Sequence, residues 1–284
     1  TQNLPRSSQF TTWPTDSMKT ELHSSFIIKF STFALLVLCL IAPRATAQTG
    51  FGSALSFDGV DDHVSVTPNA ALDMTDGTIE FWVNRGAIVG NACLVQNRGY
   101  TLAQTRYSVH LSTTAIGLFD GISYQTVPFA SAPGQWYHVA LVCAGGNTEV
   151  FVNGSSRGFT GNAFNPGVNG QPFRIGATYD DSGSGTLMEP FAGQLDEVRI
   201  WNVARSQTEI TNDMNHPLTG TESGLVACYR FDEGGGTVAY DATTNHFNGQ
   251  LINRPLRVPS FWAPQITLNG GNPLTNECHV PFVD

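Results

Sequence analysis

The chain has 284 residues, enough for about two domains, and its 41% hydrophobic content excludes a chain disordered by composition. Its only lysines are Lys19 and Lys29. From Gln48 onward the chain has ten arginines and 21 acidic residues, which gives this part a net charge of −11. This acidic body offers no basic surface to nucleic acid or an anionic membrane. The 29 glycines and 15 prolines favour short strands joined by turns.

The segment Met18–Ala47 has the pattern of a secretory signal peptide, with residues 1–17 as an upstream extension. Two lysines supply positive charge, residues 30–42 form a 13-residue apolar run, and small residues suited to cleavage end the segment. Thirteen helical residues rise only about 20 Å, which is too short for a roughly 30 Å hydrocarbon core and disfavours a membrane anchor. A lipid anchor on Cys39 is disfavoured because Leu38 before it is not small. We therefore expect a secreted, extracellular or cell-surface protein that is not inserted in a membrane after processing.

Four cysteines follow this region, namely Cys93, Cys143, Cys228 and Cys278. Disulfides form in exported proteins, and the spacings contain no CxxC pair of the kind that binds zinc. Lone cysteines in strands also occur as small buried hydrophobes. The sequence leaves open whether these cysteines are buried thiols or include a disulfide, and it does not determine a pairing.

The body of the chain is a series of short β-type runs separated by Gly, Asn, Asp and Pro. Asn153-Gly154 predicts a hairpin turn, because both residues tolerate positive φ. One short helix is predicted over 206–213, where Ser206 and Glu209 have the spacing of a capping box. Strands without alternating helices predict an all-β, two-sheet sandwich. The predicted strands are 54–57, 63–66, 78–83, 100–111, 135–143, 149–152, 173–175, 193–201 and 225–231.

Six stretches carry a family resemblance. In chain order they are ALSFDGVDDHV (54–64), GTIEFWV (77–83), QWYHVALV (135–142), VFVNG (150–154), GQLDEVRIWNVARSQTEI (193–210) and LVACYRFDEGGG (225–236). Together they resemble the LamG-like jelly-roll domain of the concanavalin A-like lectin/glucanase superfamily. The resemblance implies one jelly roll over residues 48–254, with two antiparallel sheets of six or seven strands face to face. It also implies secretion and a role in adhesion or glycan binding.

The last thirty residues differ from this body. Residues 255–264 contain several prolines and are predicted to be a linker. Residues 265–284 resemble the first strand and turn of a bacterial immunoglobulin-like surface module. Twenty residues cannot bury the core of a sandwich. We therefore expect the natural protein to continue into further domains.

Carboxylate spacing argues against catalysis. Glycoside hydrolysis requires two carboxylates about 5–9 Å apart, and the resemblance implies that glucanases place them in an E-x-D-x-E run, whose alternate residues share a face. No such run is present, and the adjacent Asp196 and Glu197 would point to opposite faces of a regular strand. Glu80 and Glu149 are alone in their strands. We therefore expect no enzyme and no catalytic residue, and interpret His138 as structural.

Asp58, Asp61 and Asp62 place three carboxylates within five residues at the end of a predicted strand. Calcium binds six to eight oxygen atoms, and the first and last strands of a jelly roll can lie side by side, which would bring Asp196 close. The sequence therefore predicts a structural calcium site formed by these four aspartates. The alternative is an Asp-rich turn whose side chains bond to their own backbone.

Function is less determined than fold. Trp82, Trp136 and Trp201 lie in the strand motifs, so core packing is favoured over sugar stacking for each, and no other glycan-binding residue can be selected. We interpret the chain as a secreted or cell-surface, non-enzymatic module for adhesion or for carbohydrate or protein recognition. Its expected partner is a glycan or an extracellular protein. A spacer domain with no ligand is the second hypothesis, and a glycoside hydrolase is the third.

Overall fold

The computed structural model describes residues 52–88, 90–167, 169–179, 184 and 186–260. The predicted signal region, the end of the predicted linker and the immunoglobulin-like segment lie outside these ranges. Within them the chain forms eighteen strands, two short 3-10 turns and one α-helix. The strands are β1 Ser53–Asp58, β2 His63–Val66, β3 Gly77–Arg85, β4 Ala92–Asn97, β5 Tyr107–Leu111, β6 Ala115–Phe119, β7 Tyr124–Pro128, β8 Trp136–Ala144, β9 Asn147–Val152, β10 Ser155–Phe159, β11 Phe173–Ile175, β12 Thr178–Tyr179, β13 Leu187–Met188, β14 Ala192–Trp201, β15 Leu225–Tyr229, β16 Val238–Ala239, β17 Gly249–Ile252 and β18 Leu256–Pro259. The helix α1 is Gln207–Asp213, and the 3-10 turns are Ala70–Leu72 and Leu102–Gln104.

Two antiparallel sheets make the predicted sandwich. The first sheet has the strand order β10-β9-β8-β3-β14-β1-β18, with β15 paired to the second half of β14. The second sheet has the order β16-β17-β2-β11-β4-β5-β6-β7, and β12 with β13 forms a small separate pair. Each large sheet has eight strands in the described part of the chain. The all-β jelly-roll class is confirmed, and the sheets are larger than the predicted six or seven strands.

Alternation along each strand builds the core between the sheets. In β5, Tyr107, Val109 and Leu111 belong to the core and are fully buried, whereas Ser108 and His110 lie on the opposite face of the sheet. Burying one large apolar side chain of this kind stabilises the fold by about 1.5–3 kcal/mol. The outer face of each sheet is therefore where polar residues collect.

Two local predictions are confirmed in detail. Asn153 and Gly154 adopt φ values of 49° and 74° and join β9 to β10 as a hairpin. Ser206 caps α1 by accepting from the backbone N–H of Glu209, and the Glu209 side chain accepts from the backbone N–H of Ser206. Helix α1 packs Ile210 onto the outer face of the first sheet, in a small apolar cluster with Phe151.

Two predicted boundaries are wrong. The predicted strand over 100–111 is a strand only from Tyr107, because Leu102–Gln104 forms a 3-10 turn. The predicted linker over 255–264 contains β18, which pairs with β1 as an edge strand of the first sheet. The prolines of this stretch led to the prediction of a linker, because proline disfavours a central strand. Proline is tolerated at the edge of a sheet, which is where β18 lies.

Cys93, Cys143 and Cys228 are buried free thiols, so no disulfide joins these three; Cys278 lies outside the described residues. Burial raises the pKa of both Cys93 and Cys228 to about 12, which keeps these thiols protonated and unreactive. No helix among residues 52–260, wherever they are described, has the length and apolar character to cross a membrane.

Candidate functional site

The acidic loop after β1 brings three of the predicted calcium ligands together. Oxygen atoms of Asp58, Asp61 and Asp62 lie within 4.8 Å of one another. Asp58 Oδ1 accepts from the backbone N–H of Val60 at 2.8 Å, and Asp62 Oδ2 accepts from the backbone N–H of Asp58 at 3.1 Å. Burial, together with the charges of Asp58 and Asp61, raises the pKa of Asp62. The loop thus makes the hydrogen bonds of an Asp-rich turn and also groups carboxylates as a cation requires, so the calcium site stays a prediction.

The structure corrects the fourth predicted ligand. β1 and β14 do pair, but Asp58 lies opposite Ala192. Asp196 is four residues further along β14, about 14 Å from that pair at a rise of roughly 3.4 Å per residue. Its Oδ2 accepts from the hydroxyl of Ser260 at 2.6 Å, at the opposite end of β1. Asp196 therefore cannot join the acidic loop.

We expect millimolar calcium to raise the melting temperature by several degrees over the value in EDTA. An ion that binds only the folded state stabilises it by about 2.7 kcal/mol at a hundredfold excess over Kd. Asp61→Ala should abolish this shift in a thermal melt, and Asp196→Ala should retain it. Equal melting of the wild type in both buffers would identify the loop as a turn without a metal.

A β-bulge corrects the predicted directions of Asp196 and Glu197. The pairing of β14 with β3 shifts register between Asp196 and Arg199, and Glu197 has a φ of 49°. Leu195 and Val198 both belong to the core, so the two carboxylates between them both lie on the outer side. Both carboxylates are buried. Asp196 accepts a hydrogen bond from the hydroxyl of Ser260, and Glu197 Oε2 forms an ion pair with the Arg199 guanidinium at 3.0 Å. Both are therefore used in structural contacts.

A buried polar network lies between the first sheet and α1. The Oε1 atom of Glu80 accepts from Trp201 Nε1 and from Arg205 Nη1, each at 3.0 Å. Arg199 Nη1 lies 3.6 Å from the same oxygen and donates to the backbone carbonyl of Asp213 in α1. The network ties the helix to the sheet and gives Glu80 a structural role.

The tryptophans and His138 belong largely to this layer. Trp82 is buried and donates to the backbone carbonyl of Met214 at 2.8 Å, and Trp201 is also buried, whereas Trp136 is half-buried. The His138 ring packs edge-on to Trp82 at 5.4 Å. Burial, with the charges of Arg199 and Arg205, lowers the pKa of His138 well below its usual value. Trp82, Trp201 and His138 are closed from solvent and have structural roles.

The outer face of the second sheet combines polar and aromatic residues. The registers of the strands place Arg174 beside Gln96, Gln96 beside Ser108, Ser108 beside Phe119 and Phe119 beside Tyr124. This row crosses five strands and becomes more exposed towards β7, where Tyr124 is 38% exposed. We call this surface the polar-aromatic face.

Tyr124 lies across its sheet because a glycine leaves room for it. A Cβ on Gly117 would come within 2.1 Å of the Tyr124 hydroxyl, so the phenol covers the backbone of β6. The His110 ring meets Tyr124 edge-on at 5.5 Å, and His110 Nδ1 lies 3.2 Å from Glu189 Oε2. Burial, with the charges of Glu189 and Cys93, raises the pKa of Tyr124 to about 12. The ring is therefore a neutral, fixed platform at the exposed end of the face.

Three buried nitrogen atoms on this face lack hydrogen-bond partners in the part of the chain that the structure describes. They are Gln96 Nε2, His110 Nε2 and Arg174 Nε. The Oε1 atom of Gln96 accepts from Thr178 at 2.8 Å, which orients the amide. A buried polar group without a partner costs about 1–3 kcal/mol. Several such groups lie on one face in the described part of the chain, which makes this face the candidate site.

None of these residues was predicted from the sequence to belong to a site. A detectable signal was present, since Arg174 stands between Phe173 and Ile175 and His110 between Val109 and Leu111. A polar residue at an alternate position of an apolar strand points away from the core. Which of these positions meet depends on strand order, which the sequence did not supply.

The two antiparallel sheets define a jelly-roll sandwich. The chain belongs to the concanavalin A-like lectin/glucanase superfamily, whose laminin G family model matches residues 58–211. The resemblance found in the sequence is thereby confirmed for the family. No curated protein sequence matches the chain.

Two solved structures resemble the chain. A proposed carbohydrate-binding protein from Bacteroides ovatus is 23% identical, with a TM-score of 0.60; the match covers 74% of this chain and 60% of that one. A heptameric SAP-like pentraxin from Limulus polyphemus is 20% identical, with a TM-score of 0.43; the match covers 56% of this chain and 80% of that one. At 23% identity, the likeness to the Bacteroides ovatus protein shows the fold alone.

Proposed function

We propose that the chain is a non-enzymatic carbohydrate-recognition module and that it binds a glycan on the polar-aromatic face. The observation that carries the proposal is the set of buried polar atoms without partners among the described residues, on the same face as the Tyr124 platform. Sugar hydroxyls both donate and accept hydrogen bonds and can satisfy such atoms, while the apolar face of a pyranose packs on an aromatic ring, which is apolar with a polar tip. The description of the Bacteroides ovatus protein as carbohydrate-binding agrees with this proposal.

The fixed position of Tyr124 favours recognition over a spacer role. A spacer requires only a soluble surface, and it gains nothing from holding an aromatic ring over Gly117 next to His110. Ile122, in the turn before β7, is 83% exposed and extends the apolar end of the face. We propose an extracellular or cell-surface setting, as the predicted signal region implies.

Tyr124→Ala is expected to weaken glycan binding by about tenfold or more, because a central aromatic anchor typically contributes more than 1 kcal/mol. The wild-type chain is first screened on a glycan array, and affinities for its best ligand are then measured by calorimetry. Gly117→Ala should produce a similar loss, since the added methyl displaces the Tyr124 ring. Tyr240→Ala is the matched control, because Tyr240 is 56% exposed but lies outside the face.

The alternatives give different results in the same experiment. A spacer binds no glycan on the array. A hydrolase releases reducing ends from the bound polymer, and this release stops when a single carboxylate is replaced. Binding that survives both Tyr124→Ala and Gly117→Ala would place the glycan on another surface.

A further inference from the structure

Arg174 occupies the buried end of the polar-aromatic face. Its side chain is 3% exposed, and the guanidinium lies 4.1 Å from the centre of the Tyr179 ring, on which Tyr100 packs edge-on at 5.8 Å. Nη1 donates to the backbone carbonyls of Pro172 at 3.2 Å and Arg98 at 3.4 Å, and Nε has no hydrogen-bond partner among the described residues. The Nε edge of the guanidinium is therefore the side on which we expect a ligand to bind.

No carboxylate of the described residues lies within ion-pair distance of Arg174. By contrast, Arg199, Arg205 and Arg257 each pair with a glutamate or aspartate. Arg106 also lacks a carboxylate and a partner for its Nε, but three backbone carbonyls accept from its two terminal nitrogens. A buried charge without a counter-charge costs several kcal/mol. Within the described residues, Arg174 is thus a buried cation that is neither paired with a carboxylate nor fully hydrogen-bonded.

Glu189 does not supply the missing charge. Burial opposes the charge on Glu189, but His110 and Arg98 more than offset this effect and hold its pKa below the usual value. That carboxylate is thus engaged with other partners on the face. Among the described residues, Arg174 therefore has no carboxylate of its own on this face.

We propose that the glycan bound on this face carries a carboxylate, as a uronic acid does, and that Arg174 binds it. This inference rests on the proposed function. A planar carboxylate matches the parallel N–H donors along one edge of a guanidinium, and such forked pairs are stronger than neutral hydrogen bonds. The half-buried Tyr179 ring is the group that must turn aside to admit the ligand.

The experiment measures calorimetric affinities of the full chain for three uronate oligosaccharides and their methyl esters. The probes are oligogalacturonate, oligomannuronate and a hyaluronan hexasaccharide. Esterification removes the charge and preserves the sugar, so the wild type should bind at least one acid about tenfold or more tightly than its ester. Arg174→Gln should abolish this preference and leave affinity for the ester within about twofold. Arg174→Lys, which retains charge without the fork, should restore only part of it.

The outcomes separate this inference from the proposed function. Equal affinity for acid and ester, with binding still dependent on Tyr124, would overturn the role of Arg174 and leave the glycan site standing. Tighter binding to keratan sulfate, which has sulfate and no uronate, would also overturn it. Binding to none of the three acids, with neutral array glycans bound, would do the same. A failure to bind any glycan at all would reject the proposed function itself.

Discussion

Replacing Glu80 by alanine is expected to lower the free energy of unfolding by about 3–5 kcal/mol. Glu80 is fully buried and neutralises two arginines beneath α1, Arg205 at 3.0 Å and Arg199 at 3.6 Å. Without the carboxylate both cations lose a close counter-charge, and the indole N–H of Trp201 loses its acceptor. Urea denaturation followed by the linear extrapolation method measures the loss.

Glu149→Ala is the matched control for this prediction. Glu149 lies in β9 of the same sheet, is half-buried and accepts from the hydroxyl of Ser156. Its loss should cost less than about 1 kcal/mol, because surface pairs and single hydrogen bonds contribute little. If both variants lost similar stability, the network beneath α1 would not hold the helix to the sheet.

A chain that ends at Arg254 is expected to be less stable than the full chain by about 3 kcal/mol, or roughly 6–12 °C in melting temperature. The deletion removes β18 from the edge of the first sheet. It also removes the ion pair between Arg257 and Glu233 at 2.9 Å, and the hydroxyl of Ser260 from the buried Asp196. The loss of one hydrogen bond to a charged carboxylate costs about 1.5–3 kcal/mol.

The control for the deletion is a chain that ends at Ser260, which keeps β18 and both side-chain contacts. Its thermal melt should match that of the full chain. If the chains ending at Arg254 and Ser260 melted together, β18 would contribute nothing to the sandwich, and residues 255–260 would act as the linker that their prolines suggested.

The local structure of turns, helix caps and strands was predicted well from the sequence. The turn at Asn153-Gly154 and the cap formed by Ser206 and Glu209 depend on residues that are neighbours along the chain. Alternation in β3 and β14 likewise follows from the two-residue period of a strand. The two-sheet class followed from these patterns. The family, and the burial of Trp82 and Trp201 in its strand motifs, followed from the resemblance of six sequence stretches.

The errors arose where one residue changes the direction of the chain or where distant strands meet. A single extra residue at Glu197 places it and Asp196 on one side of β14, against the rule for regular strands. Asp196 failed as a calcium ligand because pairing of two strands does not specify their register. β18 was missed because its place at a sheet edge removes the usual penalty for proline.

By itself, the sequence determined the all-β sandwich, its strand periodicity, its hairpin turn and its helix cap, since each depends on side chains within a few residues of one another. Only the tertiary structure decided the candidate site. Arg174, Gln96 and Tyr124 come from three strands far apart in the chain, and they share one face because β11, β4 and β7 hold particular positions and registers in the second sheet. That arrangement results from how the whole core packs, and no local pattern encodes it.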